Sequence, residues 1–237
     1  MRFIVFITSV LVSVSAYAST LDQQASELRA KCLRNFEGVK TADFTVSISA
    51  SAPLKGASAK SASGDKVIWD RDAKKLKWKR GSGPGQAWVA DATANTLKYV
   101  SVGASVIEES LDEQHALEMS TPSPRWLWHP EWLIPEKPVS VRDEGSALVL
   151  VASATHPKRE VWLDKTTGLI QRFTDTDAGG NLVRIVVVSG WSDHSGVMLP
   201  ATIDEELRGK KNMTHRYITL AVDSINAPLS DSDFALP

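Results

Sequence analysis

The chain has 237 residues, 27 basic and 28 acidic, and a formal net charge of −1. That balance leaves no basic excess for nucleic acid and no polybasic patch for an anionic membrane. Its one cysteine, Cys32, excludes an internal disulfide, which for an exported chain points to a bacterial periplasm or surface.

Export is what the first residues predict. Arg2 is a positive n-region, Phe3–Val14 is an apolar run too short to span a bilayer comfortably, and Ala16-Tyr17-Ala18 is a small-x-small cleavage signal. Residues 1–18 read as a secretory signal peptide and 19–237 as a single domain. Thr20-Leu21-Asp22-Gln23 has the form of a capping box. Leu21, Ala25, Leu28, Cys32 and Phe36 then recur at helical spacing, with Gly38 as a stop. Cys32 lies on that apolar face and reads as a buried small hydrophobe.

Strands follow. Phe44–Ala50 alternates without error, and Ser51–Ser63 is a Ser/Ala/Lys/Gly-rich loop. Lys66–Asp70 and Lys75–Lys79 carry Val67, Trp69, Leu76 and Trp78 on the core side. The lysines Lys75, Lys77 and Lys79 read as a solvated strand face. Gly81–Gly85 is glycine-rich but lacks the Lys-Ser/Thr pair that would cradle phosphate. Ala87–Ala90 and Leu97–Val100 form a further hairpin.

Val106–Pro138 breaks the pattern. Ser110–Glu113 can cap a helix running to about Met119, and Ser123-Pro124 can start a second short one. Trp126, Trp128 and Trp132 crowd a stretch bounded by prolines that forbid a long helix. Ala147–Ala152, Arg159–Leu163, Leu169–Thr174, Leu182–Ser189, Ala201–Leu207 and Met213–Val222 then read as six strands. The linking segments are Ser153–Pro157, Asp164–Gly168, Asp175–Asn181, Gly190–Pro200 and Arg208–Asn212. They are too short for crossover helices, so the sheet is an antiparallel meander.

Catalysis finds little support. The five histidines show no metal-ligand spacing, so neither a metal nor another cofactor is expected. Asp193-His194 adjoins Ser192 in a turn, but no Gly-x-Ser-x-Gly elbow occurs. Of Asp204, Glu205 and Glu206, adjacent positions point to opposite faces, which leaves a glycosidase pair unsupported. No catalytic residue is expected.

The positive signal is aromatic. Trp69, Trp78, Trp88 and Tyr99 sit on successive strands, and Trp126, Trp128 and Trp132 on the interruption. Two readings fit: an ordinary core filled by large rings, or a sheet curved around a cavity with the interruption as a lid.

Val161–Ile170, Asp177-Ala178-Gly179-Gly180-Asn181, Gly196-Val197-Met198-Leu199-Pro200 and the terminal Phe234-Ala235-Leu236-Pro237 resemble the turn motifs of the LolA-like outer-membrane lipoprotein-sorting family. The resemblance implies an α+β fold: an incomplete antiparallel β-barrel, a curved sheet of about 10–11 strands at the spacing read above. An N-terminal helix and short lid helices would cover its apolar cavity. It also implies a periplasmic carrier or chaperone for lipoprotein acyl chains or another lipid, exchanging with membrane-bound donor and acceptor proteins. Trp69, Trp78, Trp88 and Tyr99 would line the cavity, and Trp126, Trp128 and Trp132 would lid it. Arg71 is the nearest candidate for the carrier's lid-latching arginine. Each buried CH₂ contributes roughly 0.8 kcal/mol, so a partly buried chain is held without covalent chemistry. Because the family also contains a periplasmic regulator, an envelope-stress sensor or protein-interaction module on the same fold is the alternative.

Overall fold

A computed structural model describes residues 3–51, 64–81, 86–100, 105–153, 158–209 and 212–236, with backbone only at 3–19, 50 and 51. The loops Ser51–Ser63, Gly81–Gly85, Ser153–Pro157 and Arg208–Asn212 lie wholly or partly outside these residues. In chain order the elements are α1 (Phe3–Glu37), β1 (Thr41–Ser51), β2 (Asp65–Asp70), β3 (Lys75–Lys79), β4 (Ala87–Asp91), β5 (Thr96–Val100) and β6 (Ile107–Ser110). Then come α2 (Glu113–Met119), α3 (Arg125–Trp128), a 3₁₀ turn (Pro130–Trp132), β7 (Ser140–Glu144), β8 (Ala147–Val151), β9 (Lys158–Asp164) and β10 (Ile170–Thr176). The last are β11 (Leu182–His194), β12 (Val197–Arg208), β13 (Met213–Ile225) and a second 3₁₀ turn (Asp231–Phe234).

Among the described residues the hydrogen-bonded order is β6-β5-β4-β3-β2-β1-β13-β12-β11-β10-β9-β8-β7, one unclosed antiparallel sheet of thirteen strands with β6 and β7 as its ends. The incomplete barrel expected from the sequence is therefore right in kind but short by two strands. The missed ones are these two ends. Ile107-Glu108-Glu109-Ser110 and Ser140-Val141-Arg142-Asp143-Glu144 are charged and largely exposed, as edge strands often are, so no alternation betrays them. The capping box at Thr20 does not open a helix either. No Gly or Pro stands between Phe3 and Ser19, and α1 runs through without a break. Among the described residues no helix is long and apolar enough to cross a membrane.

The chain forms two compact units. The first comprises Met1–Arg34 and Glu131–Ile185. Leu21, Ala25, Leu28 and Cys32 are buried on one stripe of α1, as their spacing predicts. Burial raises the Cys32 thiol to about 12, against lowering from Arg29 and the Ile170 backbone, so it is no nucleophile. All five residues of β8 are buried. In β9–β10 the register sets Leu163 against Ile170 and Val161 against Phe173, all four fully buried. The turn between them is held by Asp164, whose Oδ1 accepts from the Thr166 and Thr167 backbone N–H groups at 2.9 and 2.7 Å. Gly168 takes φ +75° there, and a Cβ on it would come within 3.1 Å of the Leu28 carbonyl oxygen of α1. Only glycine serves both needs.

The second unit comprises Asn35–Pro130 and Val186–Pro237. Here β1 lies between β2 and β13, with a bulge at Asp43/Phe44. The β4–β5 turn manages without glycine: Asn95 takes φ 54°, and Asp91 Oδ1 accepts from Thr93 and Ala94 N–H at 2.9 and 3.0 Å. Asp112 caps α2 by accepting from the His115 N–H, and Pro124 precedes α3.

Candidate apolar binding face

The cross-strand register of the second unit builds a continuous row. Phe44 pairs with Val67, Val67 with Trp78, Trp78 with Trp88, Trp88 with Tyr99 and Tyr99 with Ile107. Directly opposed residues share a face, so five consecutive strands and β1 present one apolar, largely aromatic band. A second row beside it runs Ala42, Trp69, Leu76, Ala90 and Leu97 and ends on Glu109. Strand alternation sends Lys66, Lys75, Lys77, Lys79 and Lys98 to the opposite face.

The band differs along its length. At one end it is sealed. The Trp128 ring of α3 sits 5.1 Å from Phe44 and 5.1 Å from Trp69, and Trp69 and Trp128 are both 2 % exposed or less. Trp126 is also buried. Arg71, just past β2, fastens this end: its guanidinium donates to the Phe36 carbonyl of α1 at 2.7 Å and to the Trp128 carbonyl of α3 at 2.6 Å, and lies 5.1 Å over the Trp69 ring. Arg71, the nearest candidate for a latching arginine, thus ties the end of β2 to α1 and α3. The Trp128 indole N–H is buried with no hydrogen-bond partner among the described residues, which costs about 1–3 kcal/mol.

Toward β6 the band opens. Trp78 and Trp88 stack at 5.9 Å with planes 6° apart, both half-buried, and Ile107 is 47 % exposed. Their polar ends are held by acids. The Trp78 indole N–H donates to Asp65 Oδ2 at 2.9 Å, and the Tyr99 hydroxyl donates to Glu109 Oε1 at 2.9 Å, which pushes the Tyr99 phenol above its usual range. Six of the seven tryptophan and tyrosine positions singled out in the sequence therefore share this unit. Trp132 falls in the first unit, where the residue is 45 % exposed and lines a cavity of about 330 Å³ with Leu133, Ile134 and Arg159.

The lysine face is not simply solvated. Lys77 Nζ donates to the Asp233 and Ala235 carbonyls at 2.9 and 2.6 Å, and burial lowers its pKa. Lys75 pairs with Asp91 and Asp231 at 3.6 and 3.1 Å. The C-terminal turn so anchored helps enclose a cavity of about 430 Å³, lined by Lys75, Val89, Lys98, Glu108, Phe234 and Leu236 among others. No local signal marks this, because the tail stands more than 150 residues beyond β3 in the chain.

The hydrolytic constellations do not assemble. Ser192 Oγ lies 2.9 Å from His194 Nε2, but Asp193 alternates to the other face and accepts from the Gly196 N–H of its own turn at 2.7 Å. Glu205 is buried beside Arg216 at 3.6 Å, while Glu206 pairs with Arg208. Among the described residues no group of three or more His, Cys, Asp or Glu side chains is placed to hold a metal ion.

No family model matches the sequence, and no curated protein matches it. Solved structures do. A LolA superfamily protein from Nitrosomonas europaea is 14 % identical, with a TM-score of 0.54 over 92 % of this chain and 97 % of that one. A DUF1329 family protein from Desulfovibrio piger is 12 % identical, with a TM-score of 0.58 over 91 % of this chain and 97 % of that one. These likenesses show a LolA-like fold, as the turn motifs implied.

Proposed function

We propose that the chain is a periplasmic carrier that shelters lipoprotein acyl chains, or another lipid, on the Val67–Trp78–Trp88–Tyr99–Ile107 band, with α3 as its lid. The observation that carries this reading is the band itself: three strands in succession spend Trp, Trp and Tyr on one face and leave them half-buried. A core needs such rings sealed, whereas a binding face keeps them within reach of a ligand. Trp128 stands in for a ligand at the sealed end. Its unpaired indole N–H lowers the cost of withdrawing it, and the two Arg71 hydrogen bonds oppose withdrawal. A bound chain shifts that balance by burying methylenes where the ring had been. The apolar run Phe3–Val14 and Ala16-Tyr17-Ala18 support export with removal of residues 1–18, and membrane-bound donor and acceptor proteins would load and unload the carrier. No step of this function calls for covalent chemistry.

Mass spectrometry of solvent extracts from natively purified protein tests the reading. Stoichiometric acyl lipid is expected. Trp88→Glu, at a half-buried position, is expected to fold and to lose that lipid. An extract without lipid, together with no change of tryptophan fluorescence on adding acyl ligands, overturns the carrier and favours a protein-interaction module.

A further inference from the structure

Resting on that apolar site, we propose that its preferred ligand is cationic: an amphiphile whose polar end carries a positive charge beside its hydrocarbon chain. The argument is the distribution of charge around the band. Asp65 and Glu109 flank the Val67–Ile107 row on opposite sides, one on β2 and one on β6. Four inter-strand steps of about 4.8 Å separate these strands, so the acids bracket roughly 19 Å of aromatic surface. Among the described residues Asp65 accepts only from neutral donors, the Trp78 indole N–H and the Gly81 backbone N–H, both at 2.9 Å. Glu109 accepts from the neutral Tyr99 hydroxyl. Among the described residues no cation stands within ion-pair distance of either carboxylate.

The contrast is with the opposite face of the same strands. There Lys66 pairs with Asp43 and Asp223, Lys75 with Asp91 and Asp231, and Lys98 with Glu108. Register has sorted the lysines of β2, β3 and β5 away from the rings and left Asp65 and Glu109 beside them. The arginines of the ring side are engaged elsewhere: Arg71 on two carbonyls at the sealed end, Arg80 toward Gln86 Oε1 at 3.4 Å, Arg216 beside Glu205. An ammonium head arriving with a chain would meet an acid with no cation beside it among the described residues at either margin of the band, together with the faces of Trp78 and Trp88, which attract cations. A carboxylate head of equal length would meet like charge.

Tryptophan-fluorescence titration with dodecylammonium, dodecanoate and uncharged dodecyl maltoside, each below its micelle concentration, tests this. Dodecylammonium is expected to bind about tenfold more tightly than dodecanoate, from one exposed charge pair at whichever acid the head reaches and a cation–π contact. That ratio is expected to shrink with added salt and to fall to about one in the D65N/E109Q double variant, whose amides still accept the indole and phenol hydrogen bonds. Equal or reversed affinities of the two charged probes, with the maltoside still bound, overturn the cationic preference and leave the apolar site standing. A preference unchanged in D65N/E109Q overturns the assignment to these two acids. Failure of all three probes overturns the apolar site and the preference together.

Discussion

Strands β8–β10 and strands β2–β6 are written in the same alphabet of alternating apolar residues, yet they put it to different ends. In β8–β10 the apolar face is complete: Leu148, Leu150, Val161, Leu163, Ile170 and Phe173 are each 1 % exposed or less. Phe173 also has the Arg159 and Arg184 guanidiniums 5.7 and 5.0 Å from its ring. In β2–β6 larger rings are used and less fully covered. Trp78, Trp88 and Tyr99 keep solvent contact, and Val106 and Ile107 at the margin are about half exposed. Apolar area contributes to stability only as far as it leaves water, roughly 25 cal/mol per Å². The first region therefore holds the fold, and the second holds apolar area in reserve.

The largest expected effect sharpens that contrast. Phe173→Ala should cost about 3–5 kcal/mol, the range for emptying a sealed aromatic site. Trp88→Ala removes a bigger ring and should cost only about 1–2 kcal/mol, because part of its area is already wet. Equal costs in urea unfolding would break the distinction. Next comes the β9–β10 turn. Asp164→Ala strips the acceptor from the Thr166 and Thr167 N–H groups, the Thr167 hydroxyl and the Gln171 amide. A loss of about 1–3 kcal/mol is expected by the same measurement, with ligand affinity unchanged.

Arg71→Leu probes the sealed end of the band. The Leu127 and His129 amides, bonded within α3 to Pro124 and Arg125, should exchange with deuterium on the order of tenfold faster, the low end for hydrogen bonds to a charged group. Unchanged exchange there would remove Arg71 as the latch. The smallest effect is a pH dependence. Hydrogen bonding from Arg142, with Lys158 beside it, outweighs burial and lowers Glu160 to about 2 from 4.5. A depressed carboxylate stabilises above its unfolded value and loses that stability as pH falls through its folded one. The stability difference between the native chain and Glu160→Gln should thus be full above about pH 4.5 and vanish near pH 2. A difference constant across that window would sink the assignment.

Much of the fold was legible because its signals are local. Eleven of the thirteen described strands show as runs of β-forming residues between turn signals, most of them alternating and β8 apolar throughout. Asp164, Gly168 and Gly180 mark turns through their own hydrogen bonding or positive φ. The stripe from Leu21 to Phe36 follows from helix geometry alone. What escaped notice depends on distant neighbours. Ile107–Ser110 and Ser140–Glu144 are strands only because β5 and β8 offer them partners. The lysines of β3 looked solvated because the turn that caps them, Asp231–Phe234, arrives at the far end of the chain.

The candidate site divides in the same way. By itself the sequence determined which residues are large, apolar and on alternating positions, and it placed Trp69, Trp78, Trp88 and Tyr99 on successive strands, since parity along a strand is a property of the backbone. Only the tertiary structure decided that Trp78, Trp88 and Tyr99 line up in one register and stay half-open, while Trp69 is closed off by Trp128. It alone set Arg71 on the Phe36 and Trp128 carbonyls, and left Asp65 and Glu109 on the aromatic side without a cation among the described residues. Those are pairings across tens of residues. Each depends on which strand lies beside which and what packs over it, and no local propensity encodes either.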